Sequence, residues 1–283
     1  MSTNPWLARR IINYAHQGGS HEAPSSTLLA IEQALANGAG AIELDVHATK
    51  DRRLVVCHDE TVDRTTNATG AIADLTLAEV QSLDNAHWFI RGEDVSPGHE
   101  DEAYLLRGRA PEDRALGIVT LEEVVTTFPG VLVNLDIKQT APEVEPYESL
   151  LADELRRLGR AEDTIVASFN DSAIGAFREV SPSTPTSAAT MEVVRWFQAL
   201  LSGAALPELP IVAFQVPEEV LGNRLVDENF IAAAHDAGIA VHVWTINEID
   251  AMERLADLGV DGIMTDRPSE LAAVLGERSW GRS

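Results

Sequence analysis

A single cysteine, Cys57, stands in the 283 residues. That excludes an intramolecular disulfide framework and any all-cysteine metal site. Cys57 lies in an apolar run beside His58, where a packed small hydrophobe is the plainer reading than a nucleophile. Basic residues are scarce as well: 21 Lys and Arg against 45 Asp and Glu, a formal net charge of −24. Nucleic acid and anionic membrane surfaces are therefore poor partners, because binding them needs basic patches. An anionic substrate would need a cation or a local basic cluster to overcome this field; otherwise the charge reads as a solvated acidic surface that aids solubility. No stretch approaches roughly 18 uninterrupted apolar residues, so no stable membrane insertion is expected. The opening MSTNPWLARRIINY lacks the apolar core of a signal peptide, which makes a cytoplasmic protein the default expectation. Composition leaves the oligomeric state open.

What is present is a globular pattern, with 45% hydrophobic residues. Strand and helix alternate. Eight parallel-strand candidates fall at 11–15, 41–47, 131–137, 164–168, 184–189, 211–216, 240–244 and 262–265. A helix over 26–37 places Leu28, Ile31, Ala34 and Leu35 at helical spacing and stops at Gly38. Further helices are expected near 145–158, 172–180, around Trp196, at 227–237 and 248–257, and from Pro268 onward. Thr76 with Glu79, and Thr120 with Glu123, each match the S/T-x-x-E box that satisfies the free amides of a helix start. Eight strand–helix units in this length predict an α/β fold, a single TIM (β/α)8 barrel spanning 1–283 as one domain. The segment 85–117 has no period and is rich in charge, Gly, Pro and aromatics, which reads as a lid-like insertion.

The chain is organised around 41–59, AIELDVHATKDRRLVVCHD. Glu43 and Asp45 sit two apart in an apolar, β-branched run, so both point to one face of a strand. Two like charges on an inward face repel, and a bound cation would keep them charged and close. The connection after Thr49 is too short for a crossover helix, so 54–57 turns back as a hairpin. A symmetric turn makes facing residue numbers sum to about 101, which places His58 opposite Glu43.

Other polar residues gather where barrel strands end. His16 ends the first strand, Asp136 and Lys138 end 131–137, Phe169 and Asn170 follow 164–168, Gln215 closes 211–216, and Trp244 to Asn247 follow the penultimate strand. Three carboxylates make a hard oxygen site suited to Mg²⁺ or Ca²⁺. Each residue alone has a plainer reading: Asp136 with Lys138 as a structural ion pair, His16 or His58 as a structural histidine, Trp244 as core. The remaining histidines, His21, His47, His87, His99, His235 and His242, read as structural or surface groups.

Taken in order, the motifs resemble the glycerophosphodiester phosphodiesterase family. The stretches concerned are His16-Gln17-Gly18, Pro24-Ser25-Ser26-Thr27, IELDV at 42–46, TKDR at 49–52, VVCHD at 55–59, RTTNATG at 64–70, NLDIK at 134–138, SFN at 168–170, VWTIN at 243–247 and GVDGIMTDRP at 259–268. The resemblance covers about 12–270. It implies that Glu43, Asp45 and Asp136 bind a divalent metal, Mg²⁺ or Ca²⁺, and that His16 and His58 are the acid–base pair. Lys138 would hold the phosphate of a small-molecule phosphodiester, with Gln17 and Trp244 beside it. The lid-like segment 85–117, with His87, Trp88, Phe89 and Tyr104, is expected to set head-group or lipid selectivity. Three positions depart from the family pattern: Gln17 stands for its arginine, Ser25 and Ser26 for a Glu-Asn pair, and Asp136 for a glutamate. The implied reaction is metal-dependent hydrolysis to glycerol 3-phosphate and an alcohol. Alternatives are a phospholipase D-like action on lysolipids and a barrel that binds metal and phosphodiester without cleaving. An enolising carboxylate–metal barrel leaves the His-Asp hairpin unexplained.

Overall fold

A computed structural model describes residues 4–7, 10–110, 112–138, 147–220 and 222–277. In chain order the elements are β1 (Ile12–His16), α1 (Leu28–Ala36), β2 (Ala41–Ala48), β3 (Leu54–Val56), α2 (Leu77–Gln81), α3 (Leu121–Thr127) and β4 (Leu132–Ile137). There follow α4 (Tyr147–Arg157), β5 (Thr164–Ala167), α5 (Asp171–Val180), α6 (Thr190–Ser202) and β6 (Ala213–Pro217). The chain closes with a two-strand ribbon, β7 (Glu219–Val220) and β8 (Asn223–Arg224), then α7 (Glu228–Asp236), β9 (Ala240–Trp244), α8 (Ile249–Leu258), β10 (Gly262–Thr265) and α9 (Pro268–Glu277). Both capping boxes form as expected, at the starts of α2 and α3. The expected start of α4 at 145–146 lies outside the described residues.

Seven parallel strands make one curled sheet in the order β5-β4-β2-β1-β10-β9-β6, with β3 antiparallel on β2 and helices around the outside. The sheet is not a fully closed barrel. The expected strand at 184–189 supplies only isolated bridges, Val166 with Thr186 and Ser187 with Ala213. Pro185 explains the interruption: it has no N–H to give to a ladder, although its carbonyl accepts from Val166 N at 2.9 Å.

Alternation along the strands sorts the side chains. Ile42, Leu44, Val133, Leu135 and Val166 pack outward with Ile174 and Phe177, under α5. Phe214, Val241 and Ile263 pack outward with Trp196 and Phe230, under α6 and α7. The opposite positions fill the interior. Ile12, Tyr14, Ala41, Ile165, Ala213 and Ala240 form an apolar floor, and Trp6 stacks on Tyr14 with ring centroids 6.0 Å apart. Above this floor the interior turns polar. Gln215 Nε2 donates to Asn134 Oδ1 at 3.0 Å, and the Tyr14 hydroxyl meets His242 Nδ1 at 3.1 Å. Gly262 lets these rings in: a Cβ there would stand 2.7 Å from Tyr14 and 2.9 Å from His242.

His242 is structural, as the sequence suggested, and its burial holds the imidazole down at about 4. The unfolded chain therefore binds the extra proton, and the sign is fixed. His242 contributes stability that is full above its ordinary value near 6.5 and is lost as pH falls toward 4, about 3 kcal/mol in all. Urea midpoints taken across this window should fall with acid for the native chain and fall less steeply for His242→Asn. Equal slopes would refute the assignment.

The hairpin forms, but its register differs by one from the expected pairing. Val46 faces Val56, His47 faces Val55 and Ala48 faces Leu54, so facing numbers sum to 102. The cause is an odd-numbered loop. Thr49 N donates to Arg53 O at 3.0 Å across residues 50–52, and Arg52 takes the left-handed conformation (φ 61°) that such loops require. His58 is thus not opposite Glu43. It lies beyond the end of β3, where strand parity no longer governs its direction.

The 85–117 insertion is held by its own side chains. Trp88 Nε1 donates to Thr66 O at 3.0 Å, and the Arg107 guanidinium lies 3.8 Å from the centre of the Tyr104 ring. Ala86, Ala110 and Leu116 are buried together against Leu29 of α1. Pro111 lies outside the described residues.

Candidate active site

A cavity of about 480 Å³ opens at the C-terminal ends of the strands. His16, Glu43, His58, Asp136, Lys138 and Trp244 all line it. Two expected residues do not. Asp45 is fully buried behind this wall, and Gln17 is buried with its side chain against His16 Nε2. The 85–117 insertion contributes no lining residue either, which corrects its expected place over the substrate; the wall comes from 187–194 and 216–225 instead.

Each histidine is fixed through Nδ1. His16 Nδ1 lies 2.6 Å from Asp266 Oδ1, and that carboxylate accepts from Ser20 Oγ at 2.5 Å and Asn247 Nδ2 at 2.7 Å. Asn247 Oδ1 in turn accepts the Asp266 amide at 2.9 Å, so the loops after β9 and β10 clamp each other. His58 Nδ1 lies 2.5 Å from Asp59 Oδ1, and Arg64 Nε donates to Asp59 Oδ2 at 2.6 Å. Nε2 is then the proton-transferring atom of each ring, and on His16 it lies 3.3 Å from Gln17 Nε2 and 3.8 Å from Glu43 Oε2.

The charges follow from this packing. Burial alone would pull His16 down, but the hydrogen bond to Asp266 and the fields of Glu43 and Asp45 push it up to about 9. Burial would raise Asp266, and His16, Ser20 and Asn247 hold it well below the usual carboxylate range. Asp59 is likewise held low against its burial by His58 and Arg64. Cys57 is buried and its thiol is pushed up to about 12, consistent with an inert packed group.

Gln17 occupies a strained backbone position, with φ at 50°. Its amide N–H donates to Glu43 Oε2 at 3.2 Å, and its side chain lies 3.3 Å from His16 Nε2. Ser25 Oγ donates to Gln17 Oε1 at 2.6 Å. Two of the positions that depart from the family pattern therefore touch each other and form a neutral pair.

Glu43, Asp45 and Asp136 come from two adjacent strands, with Asp45 directly beside Asp136 in the ladder. Lys138 Nζ sits 2.8 Å from Asp45 Oδ1 and 2.9 Å from Asp136 Oδ2. Among the described residues no three His, Cys, Asp or Glu side chains already surround one point. The donor chemistry nevertheless fits a divalent ion. Asp45 Oδ2 and Asp136 Oδ1 are buried without a hydrogen-bond partner, and three carboxylates face one ammonium. Burial, then the field of Glu43, pushes Asp45 up to about 7, the mark of a cluster short of positive charge.

Asp266 and Asp59 are the functional residues that motif reading passed over. Both stood inside quoted motifs, TDRP and VVCHD, and Asp266 directly follows a strand end.

Comparison with known proteins was consistent with these motifs. Residues 16–270 match the model described as the glycerophosphoryl diester phosphodiesterase family. A glycerophosphodiester phosphodiesterase of Bacillus subtilis is 32% identical over 267 residues, covering 92% of this chain and 84% of that protein. The crystal structure of a glycerophosphodiester phosphodiesterase from Agrobacterium tumefaciens superposes with a TM-score of 0.70 at 25% identity, covering 93% of this chain and 99% of that one. A phosphodiesterase of Oleispira antarctica, solved with the product sn-glycerol-3-phosphate, shares the fold with a TM-score of 0.67 at 21% identity, covering 93% and 96%.

Proposed function

The chain belongs to the glycerophosphoryl diester phosphodiesterase family and is a hydrolase of that kind, and from this premise we propose that it releases glycerol 3-phosphate and an alcohol from small glycerophosphodiesters. The observation that carries the reading is the pair of histidines. Each is anchored through Nδ1 to its own carboxylate, and both open onto one cavity with Glu43, Asp136 and Lys138. The fold behind it is the eight-unit TIM barrel, with 184–189 acting as the strand between β5 and β6.

Lys138 places an ammonium against the non-bridging phosphoryl oxygens, where negative charge grows as the bond to phosphorus changes. One histidine Nε2 takes the proton of the attacking oxygen, and the other gives a proton to the departing alkoxide. Water is the net attacker. If the glycerol 2-hydroxyl attacks first, a cyclic phosphate forms, and water opens it with the histidine roles exchanged. Asp266 and Asp59 hold the rings in one tautomer and stabilise each imidazolium as it forms. Glu43, Asp45 and Asp136 would hold Mg²⁺ or Ca²⁺, which when bound supplies Lewis-acid neutralisation of the phosphoryl oxygens. Gln17 joins this site with its amide on Glu43 and its side chain beside His16 Nε2. Among the described residues no helix is long and apolar enough to cross a membrane, and the proposed substrate is a dissolved small molecule.

The test is release of glycerol 3-phosphate from glycerophosphocholine and glycerophosphoethanolamine, with EDTA and with added Mg²⁺ or Ca²⁺. Release that returns with one ion is the expected result. Binding of both compounds without release would mark a barrel that holds phosphodiesters and does not cleave them.

A further inference from the structure

The 85–117 insertion reaches the site without lining the cavity, through the side chain of Asn85. This amide is buried and bridges two loops. Thr65 Oγ1 donates to Asn85 Oδ1 at 2.6 Å, and Asn85 Nδ2 donates to Ser25 O at 3.1 Å. Each loop has a site histidine at its root. Ser25 follows His16, the last residue of β1. Thr65 follows His58, beyond β3, and adjoins Arg64, which holds Asp59 and through it the His58 ring. On the β1 side the bridge continues to the reacting atoms. Ser25 Oγ donates to Gln17 Oε1 at 2.6 Å, which turns the nitrogen end of that amide toward His16 Nε2, 3.3 Å away. Gln17 and Ser26 both take left-handed backbone conformations (φ 50° and 61°), and Ser26 N donates to Gln17 O at 2.7 Å. A strained pair of this kind keeps its shape only when its surroundings hold it, and Asn85 supplies such a hold at Ser25 O.

We propose, resting on the phosphodiesterase reading above, that Asn85 is a positioning residue for that reaction: it sets the spacing of the two histidine-bearing loops and the aim of Gln17 at His16 Nε2. An amide suits this post because it accepts at one end and donates at the other. A carboxylate there would keep the bond from Thr65 but set an oxygen against Ser25 O, and an apolar side chain would remove both bonds. Phosphoryl transfer needs the attacking and leaving oxygens roughly in line, so the groups that serve them must stand at a fixed separation across the phosphorus. A displacement of about 1 Å, made away from the chemistry, can cost roughly 10²-fold. The effect falls on turnover rather than on binding, because Lys138 follows β4 and stands outside the bridge.

The experiment measures glycerophosphocholine turnover in N85D, N85A and T65V, with calorimetry of glycerol 3-phosphate binding to each. N85D and T65V keep the shapes of the side chains they replace and each removes one bond of the bridge. In both, kcat should fall at least about tenfold while KM and product affinity move less than about threefold. The two ends act through one residue, so in the N85A background T65V should add less than about twofold to the loss. Native kcat in N85D or in T65V overturns the proposal and leaves glycerophosphocholine cleavage standing. Equal losses of kcat and product affinity overturn it as well, since they mark a general loosening of the fold. The full cost of T65V in the N85A background does the same. A native chain that cleaves no glycerophosphodiester refutes the phosphodiesterase reading itself, and the proposal with it.

Discussion

H16A and H58A each lower kcat for glycerophosphodiester cleavage by roughly 10²–10⁴-fold, the usual worth of a positioned acid or base. Both side chains are partly exposed at the cavity and neither belongs to an apolar cluster, so thermal unfolding should change little. The effect is on chemistry rather than affinity: Lys138 remains to hold the phosphate, and KM should move far less than kcat. The anchoring carboxylates make the prediction sharper. D266N keeps the shape of the clamp with Ser20 and Asn247, but it replaces an anion that fixes the His16 tautomer with a neutral amide. It should cost roughly tenfold or more in kcat, with an altered pH–rate profile, and so behave as a positioning change rather than a simple loss of packing. D59N should do the same through His58, softened by the solvent exposure of that pair. Wild-type turnover in either histidine variant would remove the acid–base assignment.

Much of this was legible before any coordinates. Alternation placed Glu43 and Asp45 on one inward face, and they are there, because a strand repeats every two residues whatever its neighbours do. Capping boxes and a helix-stopping glycine are local signals, and they held at Thr76, Thr120 and Gly38. What failed depended on something longer in range. The hairpin register turned on whether the loop after Thr49 held an even or odd number of residues, which parity of the strands alone does not reveal. The place of 85–117 depended on tertiary packing of Trp88, Tyr104 and Arg107, and irregular sequence gives no direction for a loop. Asp266 was invisible as a partner of His16 because they are 250 positions apart in sequence and meet only when the ends of β1 and β10 lie side by side.

Asp45→Asn and removal of divalent ions should produce the second large loss, and for the same physical cause. Asp45 is fully buried, and Asp136 lies next to it in the ladder. Together with Glu43 they place three carboxylates against the single ammonium of Lys138. Burial of that much like charge is costly: burial, then the field of Glu43, pushes Asp45 up to about 7 in spite of Lys138 beside it. Mg²⁺ or Ca²⁺ held by these carboxylates would relieve the same imbalance, and Asp45 Oδ2 and Asp136 Oδ1 are buried without a hydrogen-bond partner. EDTA should therefore reduce glycerol 3-phosphate release by roughly 10²-fold or more, given that Lewis-acid stabilisation is worth several kcal/mol. Calorimetry gives a readout that does not depend on turnover: the native chain should bind one of the two ions, and D45N should bind it far more weakly. Melting should report the same linkage, since an ion at about a hundred times its Kd stabilises the fold by about 2.7 kcal/mol. A native chain that binds neither ion, and keeps full activity in EDTA, would overturn the metal site. Lys138 would then compensate Asp45 and Asp136, with its seat between them as the working arrangement and His16 facing Glu43. K138A would decide between these two cases. With a metal in place it should weaken phosphate binding, whereas without one it should leave the carboxylates uncompensated and unfold the site.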